Sequence, residues 1–494
     1  MDKHTLEEHQ ESNPCPLTAG KVSKRTIIKV FAGVFIALAT GVWCHVRNGV
    51  RRVSGKAGMT EQSGLAHAAS AGAKSSTTLT GNGGRLGVEP DGRSAVYLAK
   101  GDTPENNMNA ILERLGGIET IVGRHDIVIL KPNSQWWAQG MTNTDAMKAF
   151  MDAVLSIRRF DGEIIIADNH QFAEDNSRAW TTKKRNGSVN YNELIQDYQV
   201  RGYKNVTKTH WHVGGQTELP LEGDAQGNSK INGPEDGEGY VWMDDEFYLS
   251  PDGRKCLMTY PIFKSAHSGI TVDFKNGAWK DGAYFSDRKV RFINFSALNH
   301  HGLYSGLTAS VKNLMGVVDM SCGFPGNEPE GTYNTHHIGV SELIRFKKNK
   351  LFMRLISRLG LEKAYIEYCY KDFHHTGGVL GYFMRNVRMP DLNIITAEIV
   401  GWGSRVNTKK SVQTKTVLAG IDPVSLDFIA ARDVLLPATP SGEHNYYGVS
   451  YQKMNNPLIE SGPFFKFIKE TEKQGIGNLN QENIIIHKAD FENA

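Results

Sequence analysis

The sequence predicts an α/β fold: a mostly parallel sheet covered by helices, in Rossmann-like layers. Three observations predict it. DIVILK (126–131) and GEIIIAD (162–168) are continuous apolar runs, as strands buried on both faces require. Between such runs lie stretches with apolar residues three and four apart, the helical spacing. The order strand, helix, strand, helix, strand then repeats between residues 95 and 213, the pattern of a helix-covered parallel sheet.

Each element follows in order. AVYLAK (95–100) is rich in β-formers and reads as the first strand. Residues 105–118 read as a helix with Met108, Ile111, Leu112 and Leu115 on one face. After the strand at 126–131, residues 143–159 are amphipathic, with Met147, Phe150, Met151 and Val154 together. The strand at 162–168 is followed by a helix at 190–201 and a strand at 206–213. Residues 214–250 are rich in Gly and Asp and read as an irregular excursion. KVRFINF (289–295) is a strand, and LTASVKNLMG (307–316) a helix ending at Gly316. Residues 319–390 read as a long insertion of mixed character. LNIITAEIVGW (392–402) is a strand, and 417–435 a strand, a turn and a helix. There Asp422 can cap free N–H groups while Pro423 takes the first helical position.

Composition narrows the function. Of 494 residues, 40% are hydrophobic and 22% charged, which fits a chain folding around a real core and excludes collagen-like or wholly disordered readings. Lys and Arg number 56 against 53 Asp and Glu, a balance that argues against a nucleic-acid binder. The five cysteines (Cys15, Cys44, Cys256, Cys322, Cys369) form no CxxC pair, so there is no iron–sulfur cluster motif. No Gly-x-Gly-x-x-Gly follows a strand, so there is no nucleotide fingerprint, and there is no Walker A or Gly-x-Ser-x-Gly motif.

The positive excess is local. Residues 1–60 hold nine Lys and Arg against four carboxylates. Residues 1–26 form a polar, basic tail, and 27–46 a signal or transmembrane segment built on VFAGVFIALATGVWC (30–44). Before it, Ser23-Lys24-Arg25-Thr26-Ile27-Ile28-Lys29 resembles a twin-arginine export pattern with Lys in place of the first Arg. No small-residue cleavage site directly follows the run, which favours an anchor over a cleaved signal. Residues 47–93, rich in Gly, Ser, Ala and Thr, read as a flexible linker, and 94–494 as the α/β domain. The expected location is the bacterial cell envelope, membrane-anchored or periplasmic.

In open parallel sheets, ligands bind beyond the carboxyl ends of the strands. Those ends carry Lys131, Pro132 and Asn133; Asp168, Asn169 and His170; Asn294, Asn299, His300 and His301; and Ser404, Arg405 and Asn407. Lys312 and Asn313 lie on the next helical segment, beside Ser310. Lys131 and Lys312 suit the holding of an anion, and Asn133 and Asn313 its orientation. Six of the 17 histidines form the pairs 300–301, 336–337 and 374–375, and His210 and His212 share a strand face. His301 and Asp168 are the candidate catalytic groups. A divalent metal held by His301, His336 or His337, and Asp168 is the candidate cofactor. Cys322 is a conceivable nucleophile.

These residues resemble the DUF362 family, a domain of unknown function. The resembling pieces are LKPN (130–133) with Thr142 and Thr144, GEIIIADN (162–169), and SALNHHGLYSGLTASVKNLMGVV (296–318) with His301, Lys312, Asn313 and Gly316. THHIGVSEL (335–343), MPDLNIITAEIVGWGS (389–404) and VLAGIDPVSLDFIAAR (417–432) complete the set, over about residues 95–440. The resemblance implies an α/β fold with a shared site and no particular reaction. The ferredoxin-like module that some relatives carry has no cysteines here. The leading expectation is an envelope enzyme acting on a polar or anionic small molecule, possible metal assistance included. The alternatives are a non-catalytic metal- or metabolite-binding protein and a redox or cofactor accessory protein.

Overall fold

The structure is a computed structural model and describes residues 85–169, 179–212, 230–320, 334–339, 346 and 349–491. The expected N-terminal tail, apolar segment and most of the linker, with His170 and Cys322, lie outside the described residues, as do the side chains of His212 and His337. Among the described residues no helix is long and apolar enough to cross a membrane.

The chain runs β1 (Ser94–Lys100), α1 (Pro104–Arg114), β2 (Ile127–Lys131), α2 (Thr144–Leu155), β3 (Glu163–Asn169), α3 (Tyr191–Val200) and β4 (Val206–His212). Next come β5 (Lys230–Ile231), β6 (Gly239–Leu249), β7 (Lys255–Lys264), β8 (Thr271–Asp273), β9 (Gly277–Lys280) and β10 (Ala283–Tyr284). Then follow β11 (Val290–His301), β12 (Gly306–Thr308), α4 (Ser310–Asn313), α5 (Lys350–Arg358), α6 (Glu362–Cys369) and α7 (His375–Asn386). The chain closes with β13 (Leu392–Gly401), β14 (Ser411–Gly420), α8 (Pro423–Ala430), α9 (Pro463–Lys473) and β15 (Ile484–Asp490).

Local chemistry sets the helix starts. Thr103 accepts from the Asn106 N–H at the start of α1, with Pro104 in the first turn. Asn143 accepts from two N–H groups of α2, and Asn190 with Glu193 closes a capping box on α3. Asp422 caps α8 at 2.8 and 3.1 Å with Pro423 following, as the sequence predicts.

The main sheet is ordered β15-β1-β14-β13-β11-β2-β3-β4, with β12 paired to β11. Along this path only β14 runs against its neighbours, so the sheet is mostly parallel. Successive residues of β2 point to opposite faces. Val128 and Leu130 join the core under α1, α2 and α3, while Ile127 and Ile129 join a second core. That second core contains residues of α7, α8, α9 and a smaller sheet, ordered β10-β9-β8-β7-β6-β5.

The smaller sheet corrects the reading of 214–250 as irregular. Within that span β5 and β6 are strands, and β6 carries Asp244, Asp245 and Glu246 at a register shift against β7. A bulge frees such residues from the ladder, which is why an acidic run can sit inside a strand. Three further boundaries move. β11 continues to His301 because its polar tail is paired with β12 and β13. The helix expected over 307–316 is β12, the single turn α4 and a 3-10 turn at Leu314–Gly316. The end of the expected linker is docked: Leu86 bridges Ile476, and Arg85 donates to the Gly477 carbonyl. The described part of the 319–390 insertion is mainly α5, α6 and α7.

From β2 the chain moves to β3 and β4 on one side, and from β11 it moves to β13 on the other. The carboxyl ends of β2 and β11 therefore flank a topological switch point, where open α/β sheets form a crevice.

Candidate functional site

Lys131 ends β2 at this crevice, buried under the chain. Its Nζ lies 3.0 Å from Asp168 Oδ1 and donates to Asn313 Oδ1 at 2.7 Å and to the Pro132 carbonyl at 2.9 Å. Asp168 ends β3, and its Oδ2 accepts from the Ser134 N–H at 3.1 Å and hydroxyl at 2.6 Å. Burial pushes the lysine down from its ordinary value and the carboxyl up, and their attraction opposes both shifts. Gly316 covers the pair. A Cβ there would sit 2.1 Å from Asp168 Oδ1 and 2.4 Å from Lys131 Nζ. The covering backbone is held on three sides: Trp211 donates to the Gly316 carbonyl, Tyr240 to that of Val317 and Asn169 to that of Val318. So in KNLMG the Asn receives the lysine and the Gly admits it.

A row of amides carries this cluster across the sheet. Asn313 Nδ2 donates to Asn294 Oδ1 at 2.8 Å, and Asn294 Nδ2 donates to Asn393 Oδ1 at 2.8 Å. Asn393 in turn donates to the Ile421 carbonyl at 3.0 Å. Each buried amide bonds the next and a backbone carbonyl besides, that of Lys131 for Asn313 and that of Ser310 for Asn294, so each fixes its neighbour. Asp427 on α8 anchors the other end of α4. Its carboxylate accepts from the Ser310 N–H at 2.8 Å, the Val311 N–H at 3.0 Å and the Ser310 hydroxyl. Burial pushes this carboxyl up to about 7.

Asn133 holds backbone. Its Oδ1 accepts from the Ala297 N–H at 2.7 Å, beside the register shift in β11. Thr142 accepts from the Asn133 N–H and donates to the Phe295 carbonyl.

The two neighbours His300 and His301 differ. His300 Nε2 accepts from the Gly302 N–H at 3.0 Å, so its Nδ1 carries the proton and donates to Asn455 at 2.6 Å. Both nitrogens are used, and burial drives the imidazole down to about 4. His301 Nδ1 meets the Thr308 hydroxyl at 2.7 Å and Arg405 Nη1 at 3.4 Å. Arginine only donates, so the tautomer that fits both contacts leaves Nδ1 bare and puts the proton on Nε2. After burial, the strongest influences on His301 are the charges of Lys312, Arg405, His300 and His336, and all push its imidazole down. Lys312 is buried, with Nζ 2.9 Å from Met315 Sδ. Arg405 stacks 4.4 Å over Trp136.

The structure thus sorts the sequence candidates into two groups. Lys131, Asp168 and Asn313 make one hydrogen-bonded cluster. His301, Lys312, His336 and the half-buried Arg405 make a second, electropositive one. His301, His336 and Asp168 do not gather into one metal-ligand set among the described residues, where the one such set is His374, His375 and Glu470. The reason is that Asp168 is committed to Lys131 and Ser134. His210 packs in the core, 4.3 Å from the Trp180 ring. Sequence reasoning missed Asp427, Asn393 and Glu470; only the Asp422–Pro423 helix start pointed toward the first.

Residues 272–432 match the family model described as Domain of unknown function (DUF362). The resemblance is borne out over that span. The DUF362 span contains both halves of the electropositive cluster, α4 with its Asp427 cap, and the asparagines of the amide row. Lys131 and Asp168 precede it. No curated protein and no solved structure matches the chain.

Proposed function

We propose that the carboxyl edge of the sheet binds a small anionic molecule, a carboxylate or a phosphate, with His301 as a hydrogen-bond donor beside it. The observation that carries this reading is the electropositive setting of His301. Lys312, Arg405 and His336 act on one imidazole that burial already keeps neutral. Such a setting favours an anion over a cation, so the histidine acts as a hydrogen-bond donor and not as a metal ligand. Arg405 offers a planar fork for two oxygens, and Lys312 a point charge. His301, with its proton on Nε2, is suited to donate a hydrogen bond to an oxygen of the bound molecule. Lys131, Asp168 and Asn313 hold the α4 turn that carries Lys312, and so act as positioning residues. The apolar segment at 27–46 with its basic flanks supports an anchored or exported location. Fractionation of cells expressing the chain with and without residues 1–46 tests that location.

The binding test is thermal stabilisation of the full chain by inorganic phosphate and by small carboxylates. A dose-dependent rise in Tm, lost in Arg405→Gln and Lys312→Met, is the expected result. A rise that persists undiminished in both variants sinks the reading. Turnover with a ligand found this way separates an enzyme from the alternative, a binding protein that stabilises without product.

A further inference from the structure

Away from the anion site, α7 packs against α9 with unusually close backbones, and small residues make this possible. A Cβ on Gly377 would lie 2.0 Å from the Phe467 carbonyl oxygen, and one on Gly381 2.9 Å from that of Thr471. A Cβ on Gly378 would lie 2.5 Å from the Tyr248 ring on β6. Thr471 donates its hydroxyl to the Gly377 carbonyl at 2.9 Å. This approach brings His374 and His375, at the start of α7, to Glu470 on α9. One ligand atom from each lies within 4.8 Å of the others.

The neighbours prepare both rings. His374 Nδ1 donates to the Lys371 carbonyl at 3.0 Å, which leaves its Nε2 lone pair available. His375 Nδ1 meets the Tyr248 hydroxyl at 3.3 Å, and Tyr248 also interacts with Glu470. With Nδ1–H donating to Tyr248 and Tyr248 donating to Glu470, His375 also presents Nε2. His375 and Glu470 are buried, whereas His374 is half-exposed and gives an entry path.

We propose that His374, His375 and Glu470 bind one borderline divalent metal ion of the zinc class. Two imidazoles and one carboxylate are the donors such ions take, and hard ions such as magnesium prefer oxygen alone. Bonds of about 2.1 Å in a tetrahedron set the ligand atoms about 3.4 Å apart. Rotation of the half-exposed His374 ring closes the remaining gap. The fourth position is left for water. The surrounding charge is mixed: Glu470, Asp252 and Asp372 oppose Arg254 and Lys466 at the two rings. Lys473 pairs with Glu470 at 2.6 Å, but its side chain is 56% exposed and can swing away as the metal enters. The amino end of α7 disfavours a cation, an effect small beside three ligand bonds.

The test uses the untagged, chelator-stripped full chain. Added Co2+ should give the visible bands of a four-coordinate site, and zinc after gel filtration should reach about one equivalent by mass spectrometry. His374→Ala and Glu470→Gln should each weaken binding by at least about 100-fold. Their metal-free Tm should stay near the parent's for His374→Ala, since that ring is half-exposed. Should Glu470→Gln fail to fold, His374→Ala and the parent cobalt spectrum decide the matter. A parent chain that takes up no zinc or cobalt, or uptake that survives His374→Ala but vanishes in His301→Asn, overturns the proposal.

Discussion

Two lysines, Lys131 and Lys312, lie at the same edge of the sheet and are both buried, yet their settings differ. Lys131 has a carboxylate 3.0 Å away and a backbone lid over it. Its charge is met inside the protein, by Asp168 and Asn313. Lys312 sits with Arg405, His300 and His336 around His301. A cationic setting of this kind is the one the proposed anion would complement. A cation at a strand end therefore says little about function until its counter-charge is located.

The comparison breaks most sharply at the closed cluster. Asp168→Ala leaves a buried ammonium without its partner and should cost about 3–5 kcal/mol. Gly316→Ala drives a methyl into the pair, and because the lid is held from three sides it should cost about 3 kcal/mol or more. Urea unfolding measures both. A loss below about 1 kcal/mol for either variant would mean that the cluster is not the lock described.

A smaller effect separates His300 from its surroundings. Its folded value, about 4, lies below the ordinary 6.5, so the unfolded chain binds more protons in that window. Stability should accordingly fall as pH drops from about 6.5 toward 4, by up to about 3 kcal/mol. His301 acts in the same direction. His300→Gln should flatten the profile, and an unchanged slope in urea midpoints between pH 7.5 and 5 would assign the loss elsewhere. Asp427 acts oppositely. Raised to about 7 by burial, it contributes stability below its unfolded value that is lost as pH rises toward 7. Asp427→Ala uncaps α4 and should cost about 1–2 kcal/mol. The smallest expected change is Arg405→Gln: a stability shift within about 1 kcal/mol together with loss of the anion response. A large destabilisation would move Arg405 to the structural side of the comparison.

Much of the fold could be read from local pattern. The runs at 126–131 and 162–168, the helices after them, and the Asp422 cap depend on neighbours in the chain. The antiparallel β14 does not, because a strand's direction is set by where its connection leads. In the smaller sheet, β6 was hidden by acidic residues at a bulge. The site was legible in part. Strand-end position picked out Lys131, Asp168 and His301 as candidates, with Lys312 on the next segment, but it could not divide them into the hydrogen-bonded cluster and the electropositive one, since that depends on contacts such as Asn313 with Lys131 across 182 residues. Glu470 carried no signal of its own. The run HHTGGVLG (374–381) did, because glycines in a helix mark where another backbone comes close.

The pairing of β1 with β15 has a bearing on how the protein is made. Ser94 lies opposite Ile484 and Lys100 opposite Asp490, so one of the first described strands waits for one of the last. A ribosome would release nearly the whole domain before that ladder could close. Until then β1 presents an open edge, available to chaperones or to another nascent chain. Ribosome-bound fragments ending before residue 484 should thus be protease-sensitive at β1 while β2, β3 and β4 are already protected.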